Sequence, residues 1–231
     1  LGEATIGAVV FESNEKVTEK ERLLNRRGER SSFVRCGACH ALRGGFVMPR
    51  LFVAVDLPED VREEVANMCF GVPTARWVKS DQFHLTVRFV GNVDDRTYHD
   101  IVANLDTIDK EPFSLRLRGV GHFPPRRDPR VLWVGVEDSE PLMHLRTSIE
   151  RAVRDAGVEK DKRAFHPHVT IARIRERTPL GRVTGFLGAH AMYTSRLIPV
   201  KEFYLYSSLL KPEGAIHTRE ATFGLESRGV G

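Results

Sequence analysis

Two short segments of this chain repeat one polar pattern inside apolar runs. FHLTVRFVG, residues 83–91, contains His84-Leu85-Thr86-Val87, and FHPHVTIARI, residues 165–174, contains His168-Val169-Thr170-Ile171. Side chains two apart point the same way on a strand, whereas on a helix they diverge by more than half a turn. The pattern therefore demands two strands, each presenting a His and a Thr on one face and two aliphatic side chains on the other. The apolar flanks make the aliphatic face the core.

What lies around these strands fixes the fold class. RLFVAVDL, residues 50–57, reads as a strand, and the segment 58–70 that follows is an amphipathic helix opening at Pro58, with Val61, Val65, Met68 and Cys69 on one face. After the first motif, Tyr98, Ile101, Val102, Leu105 and Ile108 form one helical stripe. Phe113, Leu115 and Leu117 then alternate with Ser114, Arg116 and Arg118 as in a half-exposed strand. RVLWVGV, residues 130–136, reads as a buried strand, and a helix carrying Leu142, Leu145, Ile149 and Val153 stops at Gly157, just before the second motif. The segment 202–225 closes the body as two strands joined across Pro212-Glu213-Gly214. Strand, helix and motif strand thus occur twice, and the expected fold is α+β with two similar lobes.

Residues 1–47 keep no sustained period and are rich in charge and Gly, so the folded body is expected over 48–231, beginning at Met48. The preceding stretch is expected to be a flexible arm or an upstream reading-frame extension. It holds eight of the 35 Lys and Arg and six of the 31 Asp and Glu, which leaves a nearly neutral body of 27 basic and 25 acidic residues. The basic character that an isoelectric point near 9.1 implies is therefore local in the body, bunched in PPRRDPR, residues 124–130, and in HVTIARIRER, residues 168–177. Three Cys make no disulfide framework, no apolar run is long enough to span a bilayer, and no secretory signal opens the chain, so a cytoplasmic monomer without membrane attachment is expected.

The motif pair suggests a chemistry. A histidine titrates near neutrality, so one ring can accept a proton while its partner donates one. If the two strands face one another across a cleft, His84 and His168 form an acid–base pair suited to in-line displacement at phosphorus without a metal. Thr86, Thr170 and a cation such as Arg173 would hold the nonbridging oxygens as charge builds on them.

RLFVAVDLP, RWVKSDQFHLTVRFVGNV, PRVLWVGV, FHPHVTIAR and YLYSSLLKPEGAIHT, in that order, resemble the RNA 2′,3′-cyclic phosphodiesterases, also called 2′-5′ RNA ligases, of the two-histidine (2H) phosphoesterase superfamily. The similarity runs from Met48 to about Leu225. It implies a bilobal α+β fold with a pseudo-twofold axis, antiparallel sheets facing a central cleft and helices outside. It further implies a metal-free, cofactor-free hydrolase that opens a 2′,3′-cyclic phosphate RNA end to a 2′-phosphomonoester. Carried onto this sequence, His84 is the proton donor to the leaving 3′ oxygen, His168 the proton acceptor that activates water, and Thr86, Thr170 and Arg173 the phosphate-binding residues. Arg88 stands where relatives often have Lys.

Two other functions fit the same residues: the reverse reaction, joining RNA ends through a 2′,5′ linkage, and a non-catalytic RNA-binding module. His166 and His168 have metal-site spacing but lack a third ligand nearby, so His166 is expected at the rim or in a structural role. Cys36 to His40, CGACH, has the form of a haem attachment site but falls in the extension and is read as chance. Arg126, Arg127 and Arg130 are candidates to anchor an RNA backbone, and Phe52, Trp77 and Tyr206 are candidates to stack on a terminal base.

Overall fold

The computed structural model describes residues 50–211 and 214–226; the extension expected over 1–47, with Cys36 to His40, lies outside the described residues. The elements run β1 (Arg50–Asp56), α1 (Glu59–Asn67), β2 (Ala75–Trp77), a 3-10 turn (Ser80–Gln82), β3 (His84–Gly91), α2 (Asp95–Asp106), β4 (Phe113–Leu115), β5 (Leu117–Phe123) and β6 (Val131–Val136). After these come α3 (Glu140–Asp155), β7 (His168–Ile174), α4 (Leu180–His190), β8 (Ile198–Val200), β9 (Glu202–Lys211) and β10 (Gly214–Gly224).

Both motifs fall on strands, as their spacing requires. In β3 and in β7 the His and Thr are half-buried while Leu85, Val87, Val169 and Ile171 are buried. These aliphatic side chains join one hydrophobic cluster with Val61 and Val65 of α1, Ile101 and Leu105 of α2, and Leu142, Leu145, Ile149 and Val153 of α3. Each such side chain taken from water contributes roughly 1.5–3 kcal/mol, so the helices are held chiefly by these stripes. Asp94 caps α2 by accepting from the Thr97 amide at 2.8 Å, and Gly157, with φ of +91°, lets the chain turn away after α3.

The strands form one sheet in the order β10-β9-β1-β3-β7-β6-β5, with β2 also on β7 and a separate pair β4-β8. The two lobes are the two antiparallel halves of this sheet, β10-β9-β1-β3 and β7-β6-β5, and β3 and β7 are where they meet. The pairing across that seam is antiparallel and registers Leu85 against Val169.

Both motif strands carry a bulge at the same place. Against β1, Arg88 pairs with Val53 and Thr86 with Ala54, leaving Val87 as the extra residue; against β6, Ala172 pairs with Leu132 and Thr170 with Trp133, leaving Ile171 extra. A bulge interrupts the alternation. Arg88 and Ala172 are therefore buried although they continue the His/Thr alternation, and Phe89 and Arg173 emerge one residue later.

Two elements differ from their sequence pattern. The run 113–118 is not one strand: it breaks at Arg116, and its halves pair with different partners, β4 with β8 and β5 with β6. The helix α4 leaves little trace in the sequence, because Gly181, Gly185 and Gly188 lower its propensity and only Val183 and Phe186 are buried.

Candidate active site at the seam of the two half-sheets

Antiparallel pairing at Leu85 and Val169 sets the positions on either side of it. One step along the ladder, His84 stands across from Thr170 and Thr86 across from His168, on the face opposite the buried aliphatics. Directly opposed residues on such strands lie about 5 Å apart at Cα, and each further pair of residues along a strand adds about 7 Å, which spaces the two His Cα atoms about 8 Å apart. Arg173 is on β7 itself and is exposed. All five residues named from the sequence are thus brought to one seam.

The two imidazoles are held alike. His84 Nδ1 lies 2.8 Å from the carbonyl oxygen of Gln82, and His168 Nδ1 lies 2.6 Å from that of His166. A carbonyl only accepts, so in each ring Nδ1 carries the proton and Nε2 is left for chemistry. His166 is exposed at the rim, as expected, and its part is this main-chain contact.

Burial pushes the His84 imidazole down to about 4, against the Gln82 carbonyl and the Asp56 carboxylate, with the charges of His217 and Arg173 adding to the depression. Burial also lowers His168, helped by His166 and Arg173. The Arg173 guanidinium further depresses a third imidazole, His217 on β10, whose main cause is again burial. One guanidinium is felt by rings from both half-sheets.

On the β1 side, His84 rests on Phe52 at 5.0 Å between centroids, and His217 meets His84 edge-on at 5.3 Å. Phe52 stacks in turn on Tyr206 at 5.3 Å. The Tyr206 hydroxyl donates to both Asp56 oxygens at 2.8 Å, and Arg219 Nη2 donates to Asp56 Oδ2 at 2.6 Å. Burial first, and Asp56, push the Tyr206 phenol up to about 12, so it is a fixed donor. On the β6 side, Phe123 meets His168 edge-on at 5.0 Å and Trp133 lies 6.3 Å from it.

Of the three aromatics named for base stacking, Phe52 is 3% exposed and forms the support under His84, Tyr206 is tied to Asp56, and Trp77 packs on Phe186 at 5.6 Å. Phe123 and Trp133 instead line an open pocket, together with Arg130 and Arg163. Arg126, Arg127 and Arg130 are exposed, and Arg130 Nη1 donates to the Arg175 carbonyl at 2.9 Å. The sequence carries no local mark of the Asp56–Arg219 contact, and marks His217 only by its place in the GAIHT segment of the resemblance. Arg88 does not reach the seam. It is 5% exposed, its Nε is 2.6 Å from Glu150 Oε2 of α3, and its Nη2 donates to the Glu159 carbonyl at 2.5 Å.

Among the described residues, no three His, Cys, Asp or Glu side chains converge as metal ligands would, and no helix is long and apolar enough to cross a membrane.

A family model for the 2′-5′ RNA ligase superfamily matches residues 59–207. The chain belongs to the 2′-5′ RNA ligase superfamily. Within that superfamily it is 31% identical over 171 residues to an RNA 2′,3′-cyclic phosphodiesterase of Archaeoglobus fulgidus, covering 73% of this chain and 96% of the relative. It is 34% identical over 158 residues to one of Aeropyrum pernix, covering 68% and 88%. The crystal structure of E. coli LigT complexed with 3′-AMP superposes with a TM-score of 0.61 at 26% identity, covering 78% of this chain and 99% of that one. The superfamily's bilobal two-histidine fold is the fold described above.

Proposed function

We propose that this protein hydrolyses RNA 2′,3′-cyclic phosphate ends to 2′-phosphomonoesters without a metal, using His84 as proton donor and His168 as proton acceptor. The observation that carries this reading is the Leu85–Val169 register, which sets the two motifs side by side on one face with the Arg173 charge felt by both rings. It is supported by the relatives, which are named RNA 2′,3′-cyclic phosphodiesterases.

The two roles follow the family resemblance, and the ring geometry leaves Nε2 of each imidazole free to play its part. Nε2 of a neutral His168 takes a proton from water, whose oxygen attacks phosphorus; the P–O3′ bond breaks, and Nε2–H of His84 gives its proton to O3′. Thr86, Thr170 and Arg173 bind the nonbridging oxygens, where donors aimed at developing charge are worth most. A half-buried His84 held near 4 is neutral in the free protein at pH 7. The bound phosphodiester anion supplies the opposite charge that raises it, so protonation of the acid is coupled to substrate binding.

A 5′-hydroxyl in place of water would make the same machinery join two RNA ends through a 2′,5′ linkage; the open pocket of Phe123 and Trp133 beside His168 has room for the nucleoside that carries it. The test is an oligonucleotide with a 2′,3′-cyclic phosphate, alone and with a 5′-hydroxyl partner, in excess chelator. A 2′-phosphomonoester product supports the proposal. Activity abolished by chelation and restored by zinc refutes the metal-free mechanism, and unchanged substrate leaves an RNA-binding module.

A further inference from the structure

A third imidazole stands beside His84. Three strand spacings of about 4.8 Å each separate β10 from β3 in the sheet order, yet the His217 ring of β10 meets His84 at 5.3 Å and Phe52 at 5.1 Å, edge-on to both. Gln82 ties the two strands together at this place. Its main-chain carbonyl lies 2.8 Å from His84 Nδ1, and its side-chain Nε2 donates to the Ala215 carbonyl at 3.1 Å, two residues before His217 on β10. One residue therefore fixes the His84 ring and the strand that carries its neighbour.

The nitrogens of His217 are used differently from those of the motif histidines. Its Nδ1 is buried and has no hydrogen-bond partner among the described residues, whereas Nδ1 of His84 and of His168 each meets a carbonyl. Burial, with the Arg173 charge, holds the ring below its usual value and neutral at pH 7, so it keeps one ring proton. On Nδ1 that proton would be a buried N–H without an acceptor, so it resides on Nε2. In the free protein His84 and His168 thus offer a lone pair at Nε2, and His217 offers an N–H. Packing on His84 and Phe52 gives no reason for a nitrogen here: a phenyl ring would fill the same place without shutting a lone pair away from water. Only Nδ1 of this half-buried ring is sealed off in that way. The Arg173 guanidinium is felt by all three rings, so the oxygens it binds lie among them. We propose that His217 donates through Nε2–H to a nonbridging oxygen of the cyclic phosphate on the His84 side. No proton leaves His217, and the hydrogen bond strengthens as charge builds on that oxygen. This makes it a further catalytic residue, and the assignment rests on the two-histidine reading above.

The test has a spectroscopic arm and a kinetic arm, both on the full chain. Ring nitrogen-15 resonances should show His217 with its proton on Nε2 and His84 and His168 with theirs on Nδ1, and adenosine 2′-monophosphate should shift the His217 Nε2 resonance saturably. His217→Phe keeps a ring against His84 and Phe52 but removes the donor, and should lower kcat for a 2′,3′-cyclic phosphate oligonucleotide roughly 10²-fold. His217→Gln places an amide N–H where Nε2–H stood and should recover most of that loss. His217→Asn, whose amide reaches only the Nδ1 position, serves as the donor-free variant should the phenylalanine variant fold poorly. The two diastereomers of a 2′,3′-cyclic phosphorothioate put sulfur, a weak acceptor, at one nonbridging position or the other. The parent should turn over both more slowly than the oxygen substrate, and the donor-free variant should lose that penalty for one diastereomer alone, an outcome that mere packing does not produce. A His217 proton on Nδ1, a His217 resonance that ignores the nucleotide while that of His168 responds, near-parental kcat in the donor-free variant, or sulfur penalties unchanged from the parent would each overturn the assignment. A parent that hydrolyses no cyclic phosphate refutes the proposed function instead, and the resonances still report on His217.

Discussion

Leu85 and Val169 pair across the seam between two antiparallel half-sheets, and that one register sets His84 opposite Thr170 and His168 opposite Thr86. Neither residue does chemistry. Both are fully buried, and a slip by one residue at either would turn a histidine into the core. Replacing Leu85 or Val169 by Ala is expected to cost about 2–4 kcal/mol of stability, read by denaturant unfolding, with a loss of turnover out of proportion to the fraction unfolded.

The half-buried His84, its ring shielded from water, makes stability depend on pH. Its folded value, about 4, lies below the usual 6.5, so the unfolded chain binds the proton more readily. This contribution is fully present above about pH 6.5 and is lost as pH falls through 4, on the order of 3 kcal/mol across that window. His84→Gln should flatten the dependence of unfolding free energy on pH between 6.5 and 4; an unchanged slope would mean the ring is not held neutral.

Arg173 depresses His84, His168 and His217 together. Removing its charge with Arg173→Met should raise the titration midpoints of His168 and His217, followed by their ring resonances. The same change should lower kcat/KM by roughly one to two orders of magnitude through lost phosphate binding. Arg173→Lys should restore the midpoints and only part of the rate.

Kinetic pH profiles should differ between free and bound protein. The kcat/KM curve reports the free site, where burial and Arg173 hold the rings low, and the kcat curve reports the complex. An anion beside the acid raises it, so the alkaline limb of kcat should lie at higher pH than that of kcat/KM. Coincident limbs would remove the coupling between substrate and proton.

The spacing His-x-Thr-x dictated which side chains face out of β3 and β7, because period two is a property of any strand. The apolar stripes of α1, α2 and α3 were legible for the same kind of reason. The bulges at Val87 and Ile171 were not, since nothing local marks them, and so Arg88 could not be seen as a buried partner of Glu150. Nor could Trp133 be told from a core residue: its open face depends on Gly121 from a neighbouring strand. Contacts set by long-range pairing leave little trace in local pattern.

Arg88 gives a contrast between stability and chemistry. It holds Glu150 of α3 and the Glu159 carbonyl, away from the seam. Arg88→Met leaves a buried carboxylate without its partner and should cost about 3–5 kcal/mol in unfolding experiments, while the double change with Glu150→Leu recovers much of that loss. The folded fraction of either variant should keep its KM for a cyclic-phosphate oligonucleotide.

The most direct test compares turnover of a 2′,3′-cyclic phosphate oligonucleotide by His84→Ala, His168→Ala and the double variant. Two rings acting on one phosphorus predict that each single change costs roughly 10²–10⁴-fold in kcat and that the double is scarcely slower than the worse single. Losses that multiply in the double variant, or near-parental turnover in either single, would contradict the account.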